Sequence, residues 1–93
     1  MKTINFYVIG GQYFQYCYGG SETLRGAKLL AAKHDEYWDN MQGWHRPRIY
    51  AAADCVLADT EFHGEQMIHK AEALPVAEYD MDRKTWRDPR VDD

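Results

Sequence analysis

One long amphipathic segment constrains the fold of this chain more than any other feature. Residues 19–44 read GGSETLRGAKLLAAKHDEYWDNMQGW, and no other stretch of that length keeps a single period. At about 100° per residue, its apolar side chains fall in one arc of about 140°. The arc contains Leu24, Ala27, Leu30, Ala31, His34, Tyr37, Trp38 and Met41. The pattern predicts one helix from about Glu22 to Asn40 or Met41, with this arc facing the core.

The flanking residues give the predicted helix its ends. Ser21 stands where an N-cap belongs, and Glu22 places a negative charge in the first turn, where the helix dipole favours it. Gly43 fits a C-cap, and Pro47 forces the residue before it into an extended conformation. The helix must therefore end before Arg46.

Strand-like segments lie on both sides of the predicted helix. Residues 4–9 and 12–18 are rich in β-branched and aromatic side chains, and Gly10-Gly11 between them fits a hairpin turn. Gly19-Gly20 is predicted to end the second strand. Further strands are predicted at residues 48–53 and, as a terminal hairpin, at 75–79 and 84–87. Residues 54–74 give a weak signal that fits a short helix, a loop or a strand.

These elements predict one α+β domain over residues 1–87, followed by a flexible tail at 88–93. The expected architecture is an antiparallel sheet of about four to five strands in the order ββαβ…ββ. The one long amphipathic helix is expected to pack on it. A chain of 93 residues with 45% hydrophobic content has material for a single core.

Charge is distributed unevenly along the chain. Residues 1–50 carry six basic and four acidic groups, whereas residues 51–93 carry five basic and eleven acidic groups. The net charge of −4 argues against a general nucleic-acid binder, because phosphate contacts need clustered Lys and Arg. No apolar signal region and no membrane-spanning run is found, so a cytoplasmic location without membrane contact is expected. Cys17 and Cys55 are then expected to be reduced thiols.

The sequence predicts no catalytic, cofactor-binding or metal-binding residues. The spacings of His63, His69 and Glu65 match no zinc signature, and the paired glycines form neither a dinucleotide fingerprint nor a phosphate loop. His34 lies in the apolar arc, where a packed histidine is the common case and a catalytic or pH-sensing role would need a carboxylate partner. Neither cysteine has a neighbouring histidine that would activate it.

Two groups of residues are candidates for partner binding. Trp44, Arg46 and Arg48 belong to the residue types that most often dominate interface energies, although such residues also close cores or remain solvated. Leu29 projects among charges on the polar side of the predicted helix, which suits a small contact patch or an ordinary exposed leucine. In the acidic second half, Asp59, Glu61 and Glu65 would suit competition for a basic nucleic-acid groove.

Three tracts carry a resemblance to a class of known proteins: YGGSETLRGAKLLAAK, WDNMQGWHRPRIYAAAD and PVAEYDMDRKTW. With them, most of residues 4–87 resembles small proteins carried by phages and conjugative elements of Gram-positive and gut bacteria. Such proteins often inhibit host defence, and some are anti-CRISPR proteins that occupy an effector nuclease. The resemblance transfers no functional residues to this chain.

The resemblance and the acidic residues together predict a non-enzymatic inhibitor that binds a host protein, with a CRISPR effector nuclease or its nucleic-acid groove as the partner. One alternative is a DNA-binding accessory protein of a mobile element, which would contact DNA through Arg25, Lys28, Arg46 and Arg48. The other alternative is a small metal- or thiol-dependent enzyme.

Overall fold

The computed structural model describes residues 3–11, 13–38 and 43–91. Within these ranges the chain forms nine strands and one α-helix, with a 3-10 turn at Ala52–Asp54. The elements are β1 (Phe6–Gly10), β2 (Tyr16–Ser21), α1 (Leu24–Ala32), β3 (Glu36–Trp38), β4 (Gly43–His45), β5 (Arg48–Ala51), β6 (Cys55–Thr60), β7 (Gly64–His69), β8 (Glu78–Asp80) and β9 (Thr85–Arg87). No helix in these ranges is long and apolar enough to cross a membrane.

The strands form several small antiparallel sheets. β1 lies between β2 and β5 in a three-stranded sheet, and the other six strands pair as the hairpins β3–β4, β6–β7 and β8–β9. The predicted α+β class with antiparallel strands is therefore confirmed. The expectation of one sheet of four to five strands under a long helix is wrong, because most of the pairing is between neighbours in sequence.

The predicted helix is much shorter than its hydrophobic period suggested. Thr23, rather than Ser21, is the N-cap, and its Oγ1 accepts a hydrogen bond from the Gly26 amide at 3.0 Å. The helix ends at Ala32, and the next residues form β3, which pairs with β4 so that Tyr37 lies opposite Trp44. Aromatic side chains favour such a pleated, half-exposed pairing, and here that preference prevails over the helical period. Met41 lies outside the described residues.

The central sheet is covered on both faces, which neighbouring residues of β1 show directly. Val8 packs with Ala27, Ala31 and Ile49 on the side of α1. Ile9 points the opposite way, because successive side chains of a strand alternate, and it packs with Tyr50 of β5 and with Cys55 and Met67 of the β6–β7 hairpin. The order of layers is therefore helix, sheet, hairpin.

The first hairpin forms as predicted, but two glycines lie inside its strands and not in the turns predicted for them. β1 and β2 pair as predicted, but the connection between them runs from residue 11 to residue 15, with Gly10 still inside β1. A Cβ on Gly10 would lie 2.8 Å from the Tyr18 ring and 3.0 Å from Pro47. Gly20 lies inside β2 instead of ending it, and a Cβ there would lie 2.6 Å from Ile4. Both glycines serve close packing within the sheet.

Later segments follow the prediction in part. The predicted strand at 48–53 forms as β5 but ends at Ala51, and the predicted terminal hairpin forms as β8–β9, with its first strand at 78–80 instead of 75–79. The weak segment 54–74, for which a short helix, a loop and a strand were all considered, forms strands: it contains β6–β7, the longest hairpin of the described chain. Ala77 bridges to Ile49, so the chain before β8 borders the free edge of β5.

Candidate binding surface

The end of the β6–β7 hairpin, residues 59–65, forms an exposed acidic tip. The base of the hairpin packs on the sheet through Cys55 and Met67. Its turn is fixed by Thr60, whose Oγ1 donates to the Gly64 carbonyl at 2.7 Å and accepts from the His63 amide at 3.2 Å. Gly64 adopts a φ of +68°, which glycine reaches at little cost. A well-defined turn therefore presents the tip to solvent.

The acidic tip brings together the three carboxylates that were predicted as partner-binding. Asp59 lies directly opposite Glu65 in the β6–β7 register, and Glu61 follows in the turn. All three are exposed. Five arginine–carboxylate ion pairs and one His45–Glu36 contact occur within the described residues, and none includes Asp59, Glu61 or Glu65. The tip thus carries three negative charges that the described part of the chain does not neutralise.

An aromatic pair borders these charges. The ring of Phe62, in the turn of the tip, stacks on the ring of Tyr13 with centroids 5.9 Å apart. Both rings remain mostly in solvent, with Phe62 63% and Tyr13 60% exposed, and Leu57 of β6 is also exposed. Sequence reasoning missed Phe62 and the pairing of its ring with Tyr13, because this contact joins segments 49 residues apart.

Leu29 lies on a different side of the molecule from the acidic tip. It is 59% exposed on α1, which packs on the face of the sheet opposite the β6–β7 hairpin. Leu29 and the three carboxylates therefore cannot form one continuous patch on the hairpin. A role for Leu29 in binding stays a separate prediction.

Trp44 is available for contacts, whereas the two neighbouring arginines already have partners in the fold. Trp44 is 59% exposed and packs only against Tyr37 on β3 among the ring contacts of the described residues. Arg46 forms a two-pronged ion pair with Asp35 at 2.8 and 3.1 Å and lies 3.8 Å from the centroid of Tyr79.

Arg48 lies 3.5 Å from Glu78, which also contacts Arg87 at 3.5 Å. Its guanidinium is 4.1 Å from the centroid of Phe14. These contacts connect β5, the β8–β9 hairpin and the loop after β1. Both Arg46 and Arg48 therefore join elements of the fold, and Trp44 is the most accessible of the three predicted anchors.

Neither thiol is activated. Burial raises the pKa of Cys55 to about 11, and burial also raises the pKa of Cys17. The thiolate is the nucleophilic form, so both groups are weak nucleophiles at neutral pH. Within the described ranges, no three His, Cys, Asp or Glu side chains are grouped so that they could hold a metal ion.

Histidines of the described chain make ring contacts. His34 stacks on Tyr18 with centroids 4.4 Å apart, and His69 stacks on Tyr50 at the same separation. Burial lowers the pKa of His45, although the nearby Glu36 carboxylate partly opposes this change.

Comparison of the chain with protein-family models, with curated protein sequences and with solved structures gives no match.

Proposed function

We propose that this chain is a non-enzymatic binding protein whose acidic tip enters a basic, nucleic-acid-binding groove of a larger protein. One observation carries the proposal: Asp59 and Glu65 face each other in register, exposed, with Glu61 beside them and no ion pair to a described cation. The residues of this surface are Asp59, Glu61, Phe62, Glu65 and Tyr13.

Energetics support a role in binding over a role in folding. Like charges directly opposite each other on paired strands destabilise the pairing by about 0.2–1 kcal/mol. Local features that weaken a fold are expected mainly at functional sites. A lysine or arginine of a partner placed between Asp59 and Glu65 would replace this repulsion by attraction. Complementary charge of this kind also speeds association.

The aromatic pair of Phe62 and Tyr13 supplies binding energy that the exposed carboxylates do not. Charges at the rim of an interface mainly guide association, whereas buried aromatic side chains provide most of the binding energy. Phe62 and Tyr13 are already stacked on each other, so a partner that covers them orders few additional side-chain torsions. The tip therefore combines a charged guide with an apolar anchor.

The resemblance to small phage and mobile-element proteins suggests the class of partner. A CRISPR effector nuclease holds its guide–target duplex in a positively charged channel, which the protein recognises through the backbone. An acidic hairpin is complementary to such a channel. We therefore infer an anti-CRISPR activity in which the acidic tip competes with nucleic acid.

The DNA-binding alternative has less support. Of the four basic residues that it requires, Arg46 and Arg48 already face Asp35 and Glu78. Lys28 lies 5.7 Å from the ring centroid of Trp86. An affinity for duplex DNA at low salt that falls steeply with salt concentration would favour this alternative.

The test compares the unmodified chain with two triple variants that change the net charge equally. The tip variant carries Asp59→Asn, Glu61→Gln and Glu65→Gln. The control carries Glu22→Gln, Glu72→Gln and Asp82→Asn, which are exposed acids outside the tip. Each is added to purified effector nucleases loaded with guide RNA, and cleavage of labelled target DNA is followed.

We expect the unmodified chain and the control to inhibit at least one effector equally, and the tip variant to need at least a tenfold higher concentration. Equal inhibition by the tip variant would show that the acidic tip is not the binding surface. Inhibition of none of the effectors would exclude them as partners.

A further inference from the structure

A cleft of about 300 Å³ lies beside the acidic tip and has a different chemistry. Its walls are Gly11, Tyr16, Tyr18, Glu36 and His63, contributed by the loop after β1, by β2, by β3 and by the turn of the β6–β7 hairpin. The cleft is large enough for one side-chain-sized group. Its walls combine three rings with one carboxylate.

The rings that line the cleft contact one another at steep angles. The Tyr16 ring makes an edge-type contact with Tyr18, at 4.8 Å and 64°, and another with His63, at 5.0 Å and 79°. His34 stacks on Tyr18 at 4.4 Å and 21°, which helps to hold that ring in place. The rings that line the cleft are thus set at steep angles to one another. Such an arrangement can contact a compact group from two directions.

The carboxylate of Glu36 is held in place by the fold. Its Oε2 accepts a hydrogen bond from the Gly11 amide at 3.1 Å, and the same oxygen lies 4.0 Å from Nε2 of His45. Gly11 adopts a φ of +85°, which places its amide in this orientation at little cost. No lysine or arginine is among the described residues that line the cleft. The described walls therefore offer the Glu36 carboxylate with no lysine or arginine beside it.

We propose that this cleft binds an organic cation, either a guanidinium or a methylated ammonium group. Ring faces attract such cations through their quadrupole, most strongly where water is excluded, and Glu36 supplies the opposite full charge. The apolar rings also provide contact for methyl groups or for the guanidinium plane. The cation could belong to an arginine or methylated lysine of a protein or to a free small molecule. Binding of a cation in this cleft does not require the function proposed for the acidic tip.

The experiment is a titration of the ¹⁵N-labelled chain followed by NMR. The probes are tetramethylammonium, N-acetyl-arginine methylamide and N-acetyl-trimethyllysine methylamide. Each probe has a neutral analogue of similar shape. These are tert-butyl alcohol for tetramethylammonium, the citrulline derivative for the arginine derivative and the norleucine derivative for the trimethyllysine derivative. The readout is the amide resonance of Gly11 together with those of Tyr16, Tyr18 and His63. We expect saturable shifts with at least one cation and at least fivefold weaker binding of its neutral analogue.

Two variants assign the binding to the cleft. Glu36→Gln keeps an oxygen that can accept from the Gly11 amide, and Tyr16→Leu removes one ring wall. Each should weaken binding at least fivefold, whereas Glu65→Gln, on the acidic tip, should change it less than twofold. A thermal unfolding curve of each variant shows whether binding is lost because the protein no longer folds. If one of the two cleft variants does not fold, the other still tests the proposal.

Binding of the amino-acid derivatives but not of tetramethylammonium would assign the site to a protein side chain, and the reverse to a free cation. Either result supports the proposal. Neutral analogues that bind as well as the cations would overturn it, as would full affinity in Glu36→Gln. Because Glu65→Gln lies outside the cleft, its effect on nuclease inhibition tests the acidic tip independently.

Discussion

Asp59 and Glu65 lie directly opposite each other across the β6–β7 hairpin, although both are negatively charged and exposed. Cross-strand neighbours in natural sheets usually attract, and two opposed carboxylates repel. The hairpin nevertheless forms, because its base is anchored by Cys55 and Met67 against Ile9 and Tyr50. The base thus supplies stability and the tip is free to carry charges that weaken it. This separation of roles underlies the proposed function.

Replacing Arg46 by lysine is expected to destabilise the fold by about 2 kcal/mol. Lysine cannot reproduce the two-pronged contact of Arg46 with Asp35, nor its planar stacking on Tyr79. The pair is largely shielded, since 16% of the Arg46 side chain is exposed, so solvent screens the lost contacts little. The free energy of unfolding from urea titration measures the effect.

Arg90→Lys is the matched control for Arg46→Lys. Arg90 makes a two-pronged contact with Asp88 at 3.0 and 2.8 Å, but both residues lie in one exposed turn near the C-terminal end. Exposed local ion pairs contribute little to stability. No measurable change is expected for Arg90→Lys, and an equal loss in both variants would contradict the role assigned to Arg46.

Cys55 is expected to make stability fall at high pH. Burial raises its pKa from 9.0 to about 11, so the unfolded chain loses the thiol proton first. The stability contributed by the neutral buried thiol is complete below pH 9 and is lost as the pH rises through 11, by an amount on the order of 2 kcal/mol. Unfolding titrations of the unmodified chain and of Cys55→Ala across this range should diverge. Parallel curves would show that the thiol is not shielded.

His45 is expected to make the stability of the fold fall at low pH. Burial lowers its pKa below the ordinary 6.5, with Arg48 acting in the same direction and Glu36 against it. The unfolded chain therefore takes up the proton more readily, and stability is lost as the pH falls below 6.5. His45→Gln cannot titrate, so its free energy of unfolding should fall less between pH 7 and pH 5. The comparison with the unmodified chain isolates this histidine from the carboxylates that titrate lower.

The helix shows why the sequence predicted the fold only in part. The apolar period of the predicted helix runs through Tyr37 and Trp38, but these residue types also suit a strand. Whether they form helix or strand depends on the β3–β4 pairing, in which Tyr37 lies opposite Trp44. Such a partner is invisible to a periodicity within one segment. The β8–β9 hairpin was predictable because polar turn residues separate two short strands at close range. The β1–β2 pairing was predictable because two strand-like segments follow each other closely, although Gly10 lies in β1 and not in the turn.

The candidate surface was predictable in composition but not in arrangement. Three acids in a short stretch indicated a charged surface, whereas the facing of Asp59 and Glu65 depends on a register that the weak signal of residues 54–74 did not reveal. The stacking of Tyr13 on Phe62 depends on how the hairpin packs against the rest of the chain. Arg46 shows the converse, since a residue typical of interfaces is used inside the fold.

Glu65→Gln tests the central claim most directly, because one substitution should change stability and binding in opposite directions. Removing the repulsion with Asp59 should raise the free energy of unfolding by about 0.2–1 kcal/mol. Losing a contact with a basic partner should raise the concentration needed for nuclease inhibition by about three- to tenfold. Glu72→Gln, an exposed control, should change neither quantity. A Glu65→Gln chain that is less stable and inhibits as well as the unmodified chain would contradict the account.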